Sequence, residues 1–165
     1  MRVLQNVGRD ASLGRELFVL EARSPDDVPG ELRLSSSRFV VIVVWDARGA
    51  SAEEVSHLAR RLLDAGAVYV CAWGPDCERV HDIVDEERDT AGHDAEGIVM
   101  TTWHEHESLA EALWFVLTAA VPDDAYVKDC GAIVGISIGS AEWASEIRAA
   151  FSSPSEFVAM RAKND

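Results

Sequence analysis

Two short segments carry the side chains best able to do chemistry: Cys71-Ala72-Trp73-Gly74-Pro75-Asp76-Cys77 and Thr101-Thr102-Trp103-His104-Glu105-His106-Glu107. Each follows an apolar β-like run and opens onto a helix-like run. Such loops lie beyond the carboxyl ends of the strands, where open α/β sheets place their sites. Cys77 falls at a helix start, where the helix dipole favours thiolate and hence a nucleophile. His104 is the best general acid or base, and Asp46 at the end of the preceding apolar strand is a carboxylate able to orient it. These three are the candidate catalytic residues of an enzyme, most plausibly a small hydrolase or transferase. The bland counterpart is that Cys77 packs as a small apolar residue, with Asp76 beside it opposing the dipole. Cys71, inside a strand, reads as core.

Other chemistries fit less well. Cys77 and His81 stand at i, i+4, and His104 with His106 adds nitrogen donors, a mixture zinc accepts. Yet the chain has no C-x-x-C pair and no H-E-x-x-H, so no metal and no cofactor is expected. It also has neither G-x-G-x-x-G nor a Walker A lysine. With Asp46, Asp76, Glu105 and Glu107 on one side and Arg48 opposing them, nucleotide binding by the usual loops is disfavoured. Trp45, Trp73 and Trp103 recur at the ends of three successive strands. They form either an aromatic floor for a ligand or partner, or plugs of the sheet's open end.

The elements that must hold these residues are regular from Arg38 onward. The continuously apolar run Phe39–Val44 has the mark of a strand covered on both faces. A capping box, Ser51 with Glu54, starts a helix whose stripe is Val55, Leu58, Ala59, Leu62 and Leu63, closed by Gly66. Strands at 67–72, 98–101 and 132–138 alternate with helices at 76–87, from Ser108 (capping box with Glu111) to Ala120, and at 141–151. Alternation of this kind implies βαβ units. The expected fold is a three-layer α/β/α sandwich with a mainly parallel sheet of four or five strands, in the flavodoxin-like or TIR-like order 2-1-3-4. Residues 38–151 form the α/β domain. Residues 1–37 are an N-terminal segment with an edge strand at 16–21 and a tail without clear period at 1–14, and 90–97 is a loop. Residues 152–165 are a short helix or tail. In order 2-1-3-4, Asp46 and His104 face each other across the switch point, with Cys77 on the far side of strand 1.

Composition narrows the partners. The 165 residues carry 29 acids against 15 Lys and Arg, a formal charge of −14. Phosphate backbones and anionic lipids are repelled over a Debye length of about 8 Å. No nucleic acid and no membrane is therefore expected, and a basic protein partner or a small ligand is compatible. The longest apolar run, Phe39 to Trp45, is too short to cross a bilayer. Three cysteines, odd in number, favour reduced thiols, and the first residues lack a signal-peptide h-region. A cytoplasmic location is expected.

The stretch Tyr69–Cys77, with Ala72-Trp73-Gly74 and Asp76-Cys77, and the string Val99–His104, followed by Glu107, Leu109, Glu111, Trp114 and Phe115, resemble the bacterial family of unknown function DUF7684. The likeness covers about residues 38–140. Val80-His81-Asp82 and the loop from Asp85 to Glu96 depart from the family pattern. The resemblance implies no activity. The expected function is an acidic binding or regulatory module, immunity-like or adaptor-like. It would use Trp45, Trp73, Asp76, Trp103, Glu105 and Glu107 at the carboxyl edge, with the Asp46, Cys77 and His104 enzyme as the alternative.

Overall fold

The structure is a computed structural model that describes residues 3–93 and 96–164. Residues 1–2, 94–95 and 165, within the expected N-terminal segment, the 90–97 loop and the C-terminal tail, lie outside it. Six strands, β1 (Gln5–Arg9), β2 (Glu16–Ala22), β3 (Arg38–Trp45), β4 (Ala67–Trp73), β5 (Met100–Trp103) and β6 (Cys130–Ile138), form one sheet in the order β1-β2-β6-β3-β4-β5. Only β1 runs antiparallel. Five helices flank the sheet: α1 (Ala52–Ala65), α2 (Cys77–Ala91), α3 (Leu109–Thr118), α4 (Ala141–Ser152) and α5 (Pro154–Asn164).

The helices start where local chemistry dictates. Both capping boxes form: the Glu54 and Glu111 amides donate to Ser51 and Ser108 Oγ at 3.1 Å each, and each glutamate takes its serine's amide in return. Gly66 closes α1 in the left-handed conformation that an L side chain resists. Val55, Leu58, Leu62 and Leu63 are buried, as the stripe requires.

The layers follow from the direction of the connections. Chain travel from β3 through α1 to β4 and through α2 to β5 moves one way along the sheet. The return from β5 through α3 to β6 goes the other way, and right-handed crossovers then put α3 on the opposite face. Val41, Val43, Val70 and Ala72 pack with Val55, Leu58 and Val80 on the α1/α2 face. Val40, Ile42, Cys71 and Ile133 pack with Leu113, Val116, Ile147 and Phe151 on the other. Burying one large aliphatic side chain stabilises by roughly 1.5–3 kcal/mol.

Three expectations need correction. The sheet has six strands, and the order 2-1-3-4 does not hold: the strand after α3 lies between β2 and β3, and β5 lies outermost. The strand at 16–21 is interior rather than an edge, because Leu17 and Val19 are buried on one face and Phe18 and Leu20 on the other. A strand buried on both faces needs neighbours on both sides, and β1 and β6 supply them. The strand expected at 98–101 forms two residues later. The Ile98 amide is taken by the Asp123 carboxylate and the Gly97 carbonyl by the Tyr126 hydroxyl, which hold that stretch out of the ladder. Of residues 152–165, expected as a short helix or tail, 154–164 form the helix α5, whose Phe157 and Val158 pack on the α3/α4 side.

The amino end of the sheet is tied by a buried ion pair. Arg15 and Asp10 are 3% and 5% exposed, and Arg15 binds the Asp10 carboxylate at 3.0 and 3.2 Å and the Ala120 carbonyl at 2.9 Å. Burial pushes the Asp10 carboxyl up, but hydrogen bonds from Ser12 and Arg15 outweigh it and hold the group below its ordinary value. A depressed carboxyl contributes stability that is present above the unfolded-state value of about 3.9 and is lost as pH falls through the lower native value. Asp10→Ala, which strands Arg15, should cost about 3–5 kcal/mol in urea unfolding at neutral pH. Its stability should also depend less on acid than that of the parent.

Candidate functional site

At the carboxyl end of the sheet the strand order creates two separate places. The first is the switch point between β3 and β6, whose chains leave for α1 and α4 on opposite faces. A cleft of about 420 Å³ lies there, lined among others by Arg23, Trp45, Asp46, Glu54, Ser140 and Trp143. Asp46 is engaged by Arg48, which donates to its two carboxylate oxygens at 2.9 and 2.7 Å. Those bonds hold the Asp46 carboxyl below its usual range.

The second place is under α3 at the outer strand. His104 is 5% exposed and packs against Phe115 in a tilted arrangement with ring centroids 4.8 Å apart. Its Nδ1 lies 2.9 Å from Glu107 Oε2 and its Nε2 lies 3.0 Å from Thr102 Oγ1. The Tyr69 and Cys71 side chains share the same face of β4, and Cys71 pairs with Thr102 in the ladder. Burial pushes the Tyr69 hydroxyl and the Cys71 thiol up, to about 12 each, so both stay protonated at neutral pH. Glu107, His104 and Thr102 thus form a short chain of polar groups.

This geometry revises the expected constellation. Asp46 and His104 do not face each other: β4 lies between their strands, which at the usual spacing separates the strand axes by about 10 Å. The carboxylate on His104 is Glu107, three residues along the chain, a spacing visible in His104-Glu105-His106-Glu107. The sequence puts Glu107 among the expected binding residues and carries no signal that marks Thr102. Cys77 lies at the first turn of α2 but is 2% exposed. Burial pushes its thiol up, and the backbone amides of His104, Cys77 and Gly74 offset this only in part. The expectation of a helix-activated thiolate is therefore corrected.

The tryptophans do not form one floor. Trp45 is 7% exposed and packs on the α1/α2 side. Trp73 points to the other face, makes an edge-to-face pair with Trp143 at 5.1 Å, and donates its indole N–H to the Glu107 carbonyl at 2.9 Å. It fixes the loop that carries His104 and Glu107. Gly74 turns at φ +121°, and a Cβ there would run into the Trp45 carbonyl. That explains the glycine after Trp73 in steric terms. Asp76 pairs with Arg79 at 2.7 Å, and Arg79 also binds the Ala47 and Ala50 carbonyls, tying the β3–α1 loop to α2.

Trp103 is different. It is 44% exposed and packs at a tilt against His81 of α2 with centroids 4.5 Å apart. Ile98, just before the strand, and Met100, at its start on the other face, are 56% and 38% exposed. Among the described residues no strand pairs with the outer side of β5. The α2 residues over this edge are His81, Asp85 and Arg88, with Asp82 and Asp89 exposed beside them on the helix: Thr101 donates to Asp85 at 2.6 Å, and Arg88 donates to the Val99 carbonyl at 3.1 Å. Glu105 is exposed just beyond the strand, next to His106, which takes the left-handed conformation. Among the described residues, no group of three or more His, Cys, Asp or Glu could hold a metal ion. No helix there is long and apolar enough to cross a membrane.

The site thus belongs to an α/β protein with a mostly parallel six-stranded sheet, whose polar and aromatic residues gather at the outer strand. The profile of DUF7684, a domain of unknown function, matches residues 18–154, and the chain belongs to that family. No curated protein matches it significantly.

The buried thiols yield a direct check. Iodoacetamide at pH 8 should modify Cys71, Cys77 and Cys130 of the folded protein far more slowly than free cysteine, and all three at ordinary rates in denaturant. Alkylation of native Cys77 faster than free cysteine would restore the thiolate.

Proposed function

We propose that this protein is a binding module that takes up a basic protein partner along its acidic outer edge, formed by β5 and the adjoining stripe of α2. The observation that carries this reading is the exposed apolar surface of the open edge, Trp103 on the α2 side and Met100 on the other, with Asp82 and Asp89 exposed on α2 and Glu105 exposed just beyond the strand. Exposed apolar groups set within a charged rim are the usual composition of a recognition surface. The net charge of −14 adds long-range steering toward cationic partners and away from phosphate. The switch-point cleft, with Asp46 tied to Arg48, is left with less free carboxylate and gives weaker support to such a role. An adaptor-like or immunity-like role is compatible with this surface.

A second reading is favoured by one arrangement: hydroxyl, imidazole and carboxylate in sequence at Thr102, His104 and Glu107. Nucleophile, base and orienting acid stand in that relation in hydroxyl-based acyl transfer. Thr102 then replaces Cys77 as nucleophile of the hydrolase or transferase alternative, and Glu107 replaces Asp46. Hydrolysis of p-nitrophenyl acetate above background, abolished in Thr102→Ala and in His104→Gln, would support it. Background rates in the parent protein would sink it.

The binding reading is tested with fluorescently labelled peptides of equal length and graded net charge, followed by anisotropy. Affinity should rise with positive charge and weaken as salt shortens the Debye length. It should fall about tenfold or more in Asp82→Lys/Asp89→Lys, given several charge-dependent contacts. A control with Glu142→Lys/Glu156→Lys, on α4 and α5, should bind as the parent does. Equal losses in both variants would show general electrostatics rather than a docking edge.

A further inference from the structure

The two margins of the sheet are built differently. At β1 the register shifts between Asn6 and Gly8, the strand is polar, and α4 packs against it. Bulges and covering elements of this kind prevent further pairing. At β5 the ladder is regular and the strand, Met100-Thr101-Thr102-Trp103, contains no Lys, no Pro and no bulge.

The peptide groups of β5 have a defined orientation. The His104 amide donates to the Ala72 carbonyl at 2.9 Å, and Ala72 is paired with Trp103. Residues that bond to one neighbour alternate along a parallel strand. Thr102 and His104 therefore turn their peptide groups inward to β4, and Thr101 and Trp103 turn theirs to the open side. Side chains alternate as well. Thr101 and Trp103 meet Asp85 and His81 on the α2 face, and Met100 lies on the other face, where it is exposed.

From this we infer that the basic partner is captured by strand addition: an extended segment pairs with the outer side of β5, its alternate side chains basic toward α2 and apolar toward Met100. This rests on the binding reading above and specifies its mode. Thr101 and Trp103 offer two N–H donors and two carbonyl acceptors to the incoming backbone. Main-chain bonds supply affinity in such complexes, and alternate side chains supply specificity. The acidic stripe sets the basic positions. Asp82 and Asp89 are seven residues apart on α2, about 10 Å along its axis. An added strand covers that distance in about three residues, so two or three same-face positions lie within reach of the carboxylates. Arg88 neutralises part of the stripe through Asp85 and Asp89, and Asp82 remains 63% exposed at its side chain. A second copy of the chain is a poor occupant, because edge-to-edge pairing would bring two such stripes together on molecules of charge −14. The short strand places the complex in the small, transient class.

Three synthetic peptides test this on the full chain labelled with nitrogen-15: an alternating KVKVKV, a block KKKVVV of equal composition, and the alternating peptide with N-methyl groups on every second backbone amide. Strand addition predicts that the alternating peptide binds at least tenfold tighter than the block peptide. Bound, it should protect the Thr101 and Trp103 amides from solvent exchange, and N-methylation on the pairing side should abolish both effects. Equal binding of the N-methylated peptide, with those amides still exchanging, overturns strand addition while the acidic docking surface stands. Failure of every basic peptide to bind removes the docking reading and this inference together. A dimer by sedimentation that Trp103→Lys dissociates would show that the edge serves a second copy, and would also overturn the inference.

Discussion

Burial of β6 on both faces is the constraint on which the arrangement depends. Its run Ala132-Ile133-Val134-Gly135-Ile136 leaves no polar face to offer solvent, so the strand must lie inside the sheet with helices above and below. It sits between β2 and β3, and Gly135 lets Ile147 and Phe151 of the covering helix approach closely. With that slot taken, β4 and β5 extend the sheet outward from β3. Of the parallel strands, the one with the most polar sequence, Met100-Thr101-Thr102-Trp103, ends at the margin. A fold that left β6 at an edge would expose an apolar strand and bury the threonines.

That placement divides the polar chemistry. Asp46 stays at the β3–β6 crevice, held by Arg48. His104 goes to the outer strand, where Glu107 and Thr102 satisfy both ring nitrogens and Phe115 covers the ring. A buried imidazole with two partners is a well-satisfied group, and it rigidifies the loop that Trp73 pins from the other side. The same side chains that hold the loop also frame the open edge. Trp103 and His81 pack across the α2 face, and Asp85 fixes Thr101. The strand presented to solvent is thus held in extended form before any partner arrives, which lowers the entropy lost on pairing.

Local features of this architecture were legible in the chain. Ser51 with Glu54 and Ser108 with Glu111 announced helix starts that form as capping boxes, and the Val55–Leu63 stripe announced the buried face of α1. The α/β class, the parallel pairing and the family followed from the alternation and from the Ala72-Trp73-Gly74 and Thr101-Thr102-Trp103-His104 strings. Strand order was not legible, because periodicity reports which faces of a strand are buried and not which strand lies beside it. Setting β5 beside β3, in the slot that β6 takes, pairs His104 with Asp46, when the partner stands three residues away in Glu107. The three strand-end tryptophans looked equivalent for the same reason. Period-two alternation in fact sends Trp45 and Trp73 to opposite faces, and position at the margin leaves Trp103 exposed. For Cys77 the sequence leaves a dipole-favoured thiolate and a packed apolar thiol both open, and burial, which the sequence does not report, favours the second.

Amide hydrogen exchange of the free protein, resolved by residue, tests the open edge most directly. Along β5 the account predicts alternation: slow exchange at Thr102 and His104, whose amides are bonded to β4, and rapid exchange at Thr101 and Trp103, whose amides face outward. Slow exchange at all four positions in the unliganded monomer would mean that the edge is already covered, and would contradict the account.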